Sequence, residues 1–312
     1  MNQTSFGRQR ADEIYRTGPE TLIAQSSTIL SGPISKYSRN VELRSQNGAD
    51  SIPLKWVVSG LLDEPHALKG QAPSGGIRFS RLEQSVILPK DSSGGIWEAV
   101  FGELDADDQV VIFLGDTSPE SILKVLPSGV DEENLIGLVK DVVKIQAIGD
   151  QPERVSRWLS YLKSAPSDGG RKAALRSFIA DGGEWTELES VLDQSLKNSR
   201  LSRDVRAFGF GIVAFNVVKE RWGVSRDAVL DFLCRIFVAE RDPKLAMQFL
   251  YSLGLIFNYC DDEDFAAQRR AVRRRLEGCL EQRPSLKTSG GPGVEHYLEE
   301  QYQELRSGYL QR

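Results

Sequence analysis

Hydrophobic residues follow two different periods along this chain, and the change falls near residue 150. Upstream, apolar and polar residues alternate over short runs that Gly, Pro and Ser interrupt, as in 52–62 and 109–114. Downstream, from Pro152 to about Gln282, apolar residues recur at the spacing of one helix face. Alternation covers one side of a strand, whereas the second period covers one stripe of a helix. The sequence therefore predicts two domains with separate cores, an antiparallel β domain followed by an all-α domain.

Six runs in the first domain have the composition of β-strands. Clusters of Gly, Asn, Asp and Ser lie between them and predict turns. Short strands at this spacing favour an antiparallel barrel or sandwich. A helical pattern at 131–148 then closes the domain, which we bound at 19–148. The predicted strands are 21–31, 52–62, 76–88, 96–101, 109–114 and 121–126.

Seven helices are predicted within 151–283, each from apolar periodicity together with a cap or a helix breaker. Asp242 before Pro243 is one such start, because Asp caps a helix and Pro suits its first turn. The predicted helices begin at 152, 171, 184, 202, 225, 242 and 261. The fourth, 202–221, is apolar through its middle, so we expect it to be central, with Phe208, Ile212, Phe215 and Val218 buried.

A Gly-rich linker at 287–293 precedes a last amphipathic segment, the tail 294–312. Its helical part, 294–310, carries Tyr297, Tyr302 and Tyr309 on one side, together with two leucines. A short helix of this kind does not stay folded alone in water. We therefore expect it to dock, with Tyr302 as its anchor, on its own chain or on a partner.

Short pieces of the first domain carry a resemblance to known folds. They are Leu68-Lys69-Gly70, Phe101-Gly102-Glu103-Leu104 and the apolar run that ends at Gly115. Their order resembles bacterial netrin-like or OB-type β-barrel modules over roughly 100 residues. The resemblance implies a barrel and an exported protein, and it transfers no functional residue. The cysteines of the netrin-like pattern are absent from this stretch.

The paired helices of the second domain resemble HEAT-like α-solenoids. That resemblance is one of architecture, since no repeat recurs at a fixed period. A compact, irregular helical bundle fits the same pattern. An extended helical array offers contact faces for other proteins, and this is what the resemblance implies for function.

Charge and hydropathy exclude several classes of protein. Residues 1–150 carry 14 basic and 21 acidic side chains, and 151–312 carry 25 and 23. Neither half has the strongly basic balance of a nucleic-acid binder, so we expect no nucleic-acid partner. No run approaches the ~18 apolar residues of a membrane span. The N-terminus lacks a signal-peptide pattern. We therefore expect a soluble protein whose compartment the sequence leaves open, periplasmic or secreted if a signal peptide was removed and cytoplasmic otherwise.

Residues able to carry chemistry are scarce. The two histidines, His66 and His296, fall in different domains, and His66 is expected to be a solvated turn residue. The acidic segment 105–108 lacks the Gly and the distal Glu of a calcium loop. Three cysteines, at 234, 260 and 279, suit neither a disulfide framework nor a zinc site, so we expect buried thiols. No catalytic, cofactor-binding or metal-binding residue is predicted.

The densest basic feature is the arginine run at 269–275. On a helix it would form a docking patch for an acidic partner. The alternative is that these arginines are solvated and paired, since Glu277 lies four residues after Arg273. We predict a non-catalytic protein- or surface-binding module with an unidentified protein partner, whose oligomeric state the sequence leaves open. The other hypothesis is a hydrolase or ligand-binding enzyme whose carboxylates meet between the domains. The predicted docking residues are Arg269, Arg270, Arg273, Arg274, Tyr297, Tyr302 and Tyr309.

Overall fold

The chain divides into two compact units, which we call the sheet unit (Pro19–Ile148) and the helical unit (Gly149–Arg312). An antiparallel sheet builds the first and helices alone build the second, which confirms the predicted β and all-α layout. No helix in the part of the chain that the structure describes is long and apolar enough to cross a membrane. The computed structural model describes residues 18–43, 51–62, 64–73, 75–89, 109–116, 122–127, 135–198, 201–218, 226–259, 269–286 and 294–310.

The sheet unit begins with a short helix and ends with a longer one, and its strands lie between them. In chain order its elements are α1 (Pro19–Gln25), β1 (Thr28–Leu43), β2 (Ser51–Leu62), β3 (His66–Lys69), β4 (Ile77–Pro89), β5 (Gln109–Leu114), β6 (Ile122–Pro127) and α2 (Leu135–Gln146).

One long strand, β1, organises the sheet. The strand order is β4-β2-β1-β5-β6, all antiparallel, with β3 also paired to β1. The first part of β1 pairs with β5, from Thr28 opposite Leu114, and its second part pairs with β2 from Ile34 onward. The register with β2 shifts just after Ser35, where Lys36 adopts a positive φ of 52°. The edge strands β4 and β6 also approach each other, so the sheet curves into a half-barrel.

The core of this unit lies on the inner side of the curved sheet. β5 is buried along almost its whole length, and its alternate residues point to opposite sides. Gly60 lets the ring of Phe79 lie across the sheet, because a methyl group at Gly60 would come within 2.7 Å of that ring. The inner cluster comprises Leu30, Ile34, Leu62, Ile77, Phe79, Val110, Ile112, Leu114 and Val125.

Two sequence predictions in this unit were wrong. The predicted strand 21–31 begins as helix α1, and β1 starts only at Thr28. Pro19 and an acidic residue in the first turn favour that helix, and Lys69 Nζ donates to Ile23 O at 2.7 Å. His66 begins strand β3 instead of lying in a turn, although it is exposed as expected. The predicted strand 96–101 lies outside the described residues.

Eight helices in the described residues build the second unit. They are α3 (Gln151–Ser164), α4 (Asp168–Ala180), α5 (Trp185–Lys197), α6 (Arg203–Val218), α7 (Arg226–Ala239), α8 (Pro243–Tyr259), α9 (Arg269–Gln282) and α10 (Val294–Leu310). The predicted cap at Asp242 is confirmed, since its carboxylate accepts from the amides of Lys244 and Leu245 at 2.9 and 3.3 Å. The helix predicted from 171 begins at Asp168, because Ser167 caps it by accepting from Gly170 N.

The helices form two layers. α3, α5, α7 and α9 follow one another in the first layer, and α4, α6, α8 and α10 follow one another in the second. Nearly every helix also packs on the next helix in the chain, across the layers. This pattern is that of a linear array, in which an element contacts only its near neighbours in sequence. That its helix pairs are HEAT repeats stays a prediction.

The interior of the array centres on α6, as predicted. Phe208, Ile212 and Phe215 are buried, while the side chain of Val218 lies outside the described ones. The ring of Phe210 stacks on Phe249 of α8 at 4.1 Å between centroids. These contacts join α6 and α8 within the second layer.

Candidate docking surface at the end of the helical array

Helix α9 presents an apolar stripe to the array and arginines on its remaining surface. The stripe follows the i, i+4, i+7 spacing of one helix face. Arg269 begins the helix, but its side chain lies outside the described ones. The buried residues of the stripe are Val272, Leu276, Cys279 and Leu280.

Two arginines of α9 are paired with carboxylates. Arg273 Nε donates to Glu277 Oε1 at 2.9 Å, the pairing that the sequence alternative predicted. Arg275 holds both carboxylate oxygens of Asp231 on α7, at 2.7 and 2.8 Å, and also lies 2.8 Å from Asp227. The hydrogen bonds to Asp231 raise the pKa of Arg275. The side chains of Arg273 and Arg275 are therefore already engaged in ion pairs within the protein.

Arg270 and Arg274 differ from them. Both are exposed, and neither has a hydrogen-bond or ion-pair partner among the described residues. They are four residues apart, so they lie on the same side of the helix about one turn from each other. We call this pair the arginine face.

The tail helix α10 docks on its own chain, with Tyr302 as the anchor. Tyr302 is fully buried, and its hydroxyl donates to the backbone oxygen of Arg283 at 2.7 Å. Burial raises the pKa of Tyr302 to about 12. The ring lies 6.5 Å from the ring of Phe237 on α7. Tyr302 thus anchors the tail helix on its own chain, and its role in docking a partner stays a prediction.

Other side chains of α10 bind the end of α9. Arg306 Nε donates to Leu280 O at 3.0 Å, and Gln303 Nε2 donates to Pro284 O at 2.7 Å. Leu280 O lies in the last turn of α9, where it also accepts from Arg283 N, and Pro284 lies just after that helix. Tyr309 sits over Gly254 of α8, where a methyl group would overlap its phenol. The side chain of Tyr297 lies outside the described ones.

Arg283, just after α9, links three helices. It is 7% exposed, and its Nη1 donates to Phe237 O in the last turn of α7. Its guanidinium lies 5.2 Å from the centroid of the Phe237 ring. Desolvation lowers the pKa of Arg283, and Coulombic interactions with Tyr302, Glu240 and Glu299 offset part of that shift. Its Nε has no hydrogen-bond partner in the described part of the protein.

A disulfide joins α7 to α9, which corrects the expectation of free, buried thiols. It links Cys234 to Cys279, whose Cα atoms are 5.4 Å apart, within the range for such bonds. The two residues are 45 positions apart, so their spacing in sequence gave no sign of the pairing. They meet because α7 and α9 are neighbours in one layer. Cys260 lies outside the described residues.

A cleft of about 640 Å³ opens where α5 and α7 end and α6 and α8 begin. Two of its four basic lining residues pair with carboxylates of the cleft: Arg206 pairs with Glu240 in a nearly buried contact, and Arg203 pairs with Asp242 at 2.7 Å. One oxygen of Glu240 also accepts two backbone amides at 2.8 Å. The carboxylates of Glu240 and Asp242 therefore already neutralise Arg206 and Arg203.

Sequence reasoning located the arginines and tyrosines but missed Arg283 and Gly254. Neither belongs to a motif, and each matters only because another helix packs against it. Within the described ranges no group of three or more His, Cys, Asp or Glu side chains is placed to hold a metal ion. No protein-family model, curated protein or solved structure matches this chain.

Proposed function

We propose that this protein is a non-catalytic binding module that recognises an acidic protein surface through Arg270 and Arg274. The observation that carries the proposal is the difference between arginines on one helix. Arg273 and Arg275 have carboxylate partners, whereas the arginine face has none among the described residues. Guanidinium groups bind carboxylates in a bidentate manner, and arginine is enriched in protein interfaces.

The rigid attachment of α9 supports this proposal. A buried stripe, a disulfide from that stripe and hydrogen bonds from the tail helix hold α9 in place. A partner that meets a preorganised surface loses less free energy to ordering it. Tyr302 of α10 is buried within its own chain, so in this proposal α10 supports α9 and does not itself contact the partner.

The carboxylates beside the arginine face favour a protein partner over a nucleic acid. Glu277 lies on the same helix, and Asp227 and Asp231 lie on neighbouring α7. They would repel a continuous phosphate backbone, whereas an acidic side-chain cluster needs only local complementarity. The helical half as a whole has 25 basic and 23 acidic residues, which is too balanced for general nucleic-acid binding.

A charge-reversal experiment tests the proposal. The full chain is immobilised, its partners are captured and identified, and the affinity of each for the purified chain is measured. The variant Arg270→Glu/Arg274→Glu should weaken binding roughly tenfold or more, with a slower association that responds less to salt.

The control variant is Arg157→Glu/Lys163→Glu, which makes the same charge change at two exposed residues of α3. It should change the affinity by less than about twofold, since distant surface charges are screened. Equal weakening by both variants, or by neither, would show that the arginine face is not the binding surface.

A further inference from the structure

Three links join α7 and α9, and they occur in the same order along both helices. The two helices therefore run parallel, side by side, with the covalent link in the middle of the row. In chain order the links are Arg275 to Asp231, Cys279 to Cys234, and Arg283 to Phe237.

The covalent link stands at the end of the array. Among the described residues, α9 packs on one main neighbour in its layer, α7, and α10 packs on one main neighbour in its layer, α8. End elements of a linear array are held from one side only, so they are the first to open. Without the disulfide, α9 would be held to α7 by its apolar stripe, by an exposed ion pair and by Arg283. Exposed ion pairs contribute little, and Arg283 Nε has no partner in the described region.

We propose that the Cys234–Cys279 bond is a redox-controlled staple, and that its reduction by a dithiol lets α9 and α10 open together from the array. The two cysteines differ in access. Cys234 is partly exposed, whereas Cys279 is 1% exposed. An incoming thiolate therefore reaches Cys234 Sγ first.

The exchange balances with the dithiol as the two-electron reductant. Its thiolate bonds to Cys234 Sγ, the disulfide breaks, and Cys279 Sγ leaves as a thiolate and takes up a proton. The second thiol of the reductant then attacks the mixed disulfide and closes its own disulfide. Cys234 is released as a thiolate and is protonated. The protein gains two electrons and two protons, and the dithiol is oxidised.

The effect of reduction should be local. The bond closes a loop of 45 residues that contains α8, so it restricts chain separation at this end of the array. α3 and α4 lie at the other end of the array, where their main helix neighbours in the described residues are each other, α5 and α6. Opening would also remove the support beneath the arginine face, but the staple itself does not depend on the proposed function. An experiment can disprove the redox staple without disproving the proposed binding function, because the opening of α9 and α10 is measured without a binding partner.

Amide hydrogen exchange on the full chain, purified without reductant, tests the proposal. Digestion under non-reducing conditions should yield a peptide pair that links Cys234 to Cys279. Dithiothreitol should speed exchange in α9 and α10 about tenfold or more, and leave α3 and α4 within about twofold.

Two variants serve as matched controls. Cys260→Ser should keep the response to dithiothreitol. The double variant Cys234→Ser/Cys279→Ser should exchange rapidly in α9 and α10 with or without reductant. If that variant does not fold, reduced and oxidised wild type still give the comparison. The proposal is overturned if the linked peptide is absent, if α9 exchanges equally in both states, or if α3 accelerates as much as α9.

Discussion

The contacts inside the sheet unit join residues that are farther apart in the sequence than the contacts inside the helical unit do. In the sheet unit, Thr28 pairs with Leu114, and the strand β1 pairs both with the nearby strand β2 and with the distant strand β5. In the helical unit, each helix packs mainly on the next helix or the next but one. Non-local pairing requires most of the sheet unit to form together, whereas a linear array can lose one end and keep the rest. A substitution should therefore act throughout the sheet unit but near its own position in the helical unit.

The largest expected effect comes from the middle of the array. Phe215→Ala should lower the free energy of unfolding of the helical unit by about 3–5 kcal/mol, because it leaves a cavity in α6. Chemical denaturation followed by far-UV circular dichroism measures the loss. Tyr251→Ala, at a residue that is 50% exposed, should cost less than about 0.5 kcal/mol. A loss below about 1 kcal/mol for Phe215→Ala would mean that α6 is not the interior helix.

Removal of residues 288–312 should have the next largest effect. It uncovers the site of Tyr302 and removes its hydrogen bond, so we expect a loss of about 2–4 kcal/mol. A thermal melt, with an apolar dye to detect uncovered surface, compares the two chains. The loss should stay at the C-terminal end, with exchange in α3 unchanged. The same melting temperature without dye binding would show that the tail is a free appendage.

Tyr302→Phe should have a smaller effect and one that depends on pH. Loss of the bond to Arg283 O should cost about 1 kcal/mol at neutral pH. The folded-state pKa of Tyr302 is raised from 10.0 to about 12, so the unfolded chain loses this proton first as the pH rises. The contribution is complete below pH 10.0 and declines towards about pH 12. The free energy of unfolding, measured with urea across that pH window, should fall more steeply for wild type than for Tyr302→Phe. Parallel curves for the two proteins would contradict a raised pKa of Tyr302 in the folded state.

The smallest expected effect concerns the exposed pair between α9 and α7. Arg275→Ala should lower stability by about 0.2–1 kcal/mol, and added salt should remove most of the difference. Arg270→Ala is the control, since Arg270 has no partner among the described residues, and it should leave stability unchanged. Equal losses of stability for the two variants would show that Arg275 and Arg270 do not differ in pairing, which is the difference that defines the arginine face.

Local patterns predicted most of the secondary structure. The bounds of β5 and α10 agree with the sequence prediction, and Asp242 caps α8 as expected. These features depend on residues within one or two turns of each other. The prediction failed at 21–25, where a run of strand-forming residues lies in helix α1. There, distant groups hold the backbone: Lys69 bonds to Ile23 O and Gln146 bonds to Glu20 O.

The same distinction applies to the candidate site. Sequence spacing identified the arginine run and even the pairing of Arg273 with Glu277, because both partners lie on one helix. It did not show which arginines remain unpaired, since the carboxylates that bind Arg275 come from α7. The sequence also did not show that Tyr309 packs on Gly254, because that contact exists only where α10 packs on α8.

The sequence by itself determined two periods of hydrophobic residues, and with them a curved antiparallel sheet followed by a helical array. Each period is a property of neighbouring residues and needs no knowledge of the rest of the chain. Only the tertiary structure decided that Cys234 meets Cys279, that Tyr302 is buried against Arg283, and which arginines stay exposed. Such contacts join residues on different helices, and their geometry depends on how those helices pack.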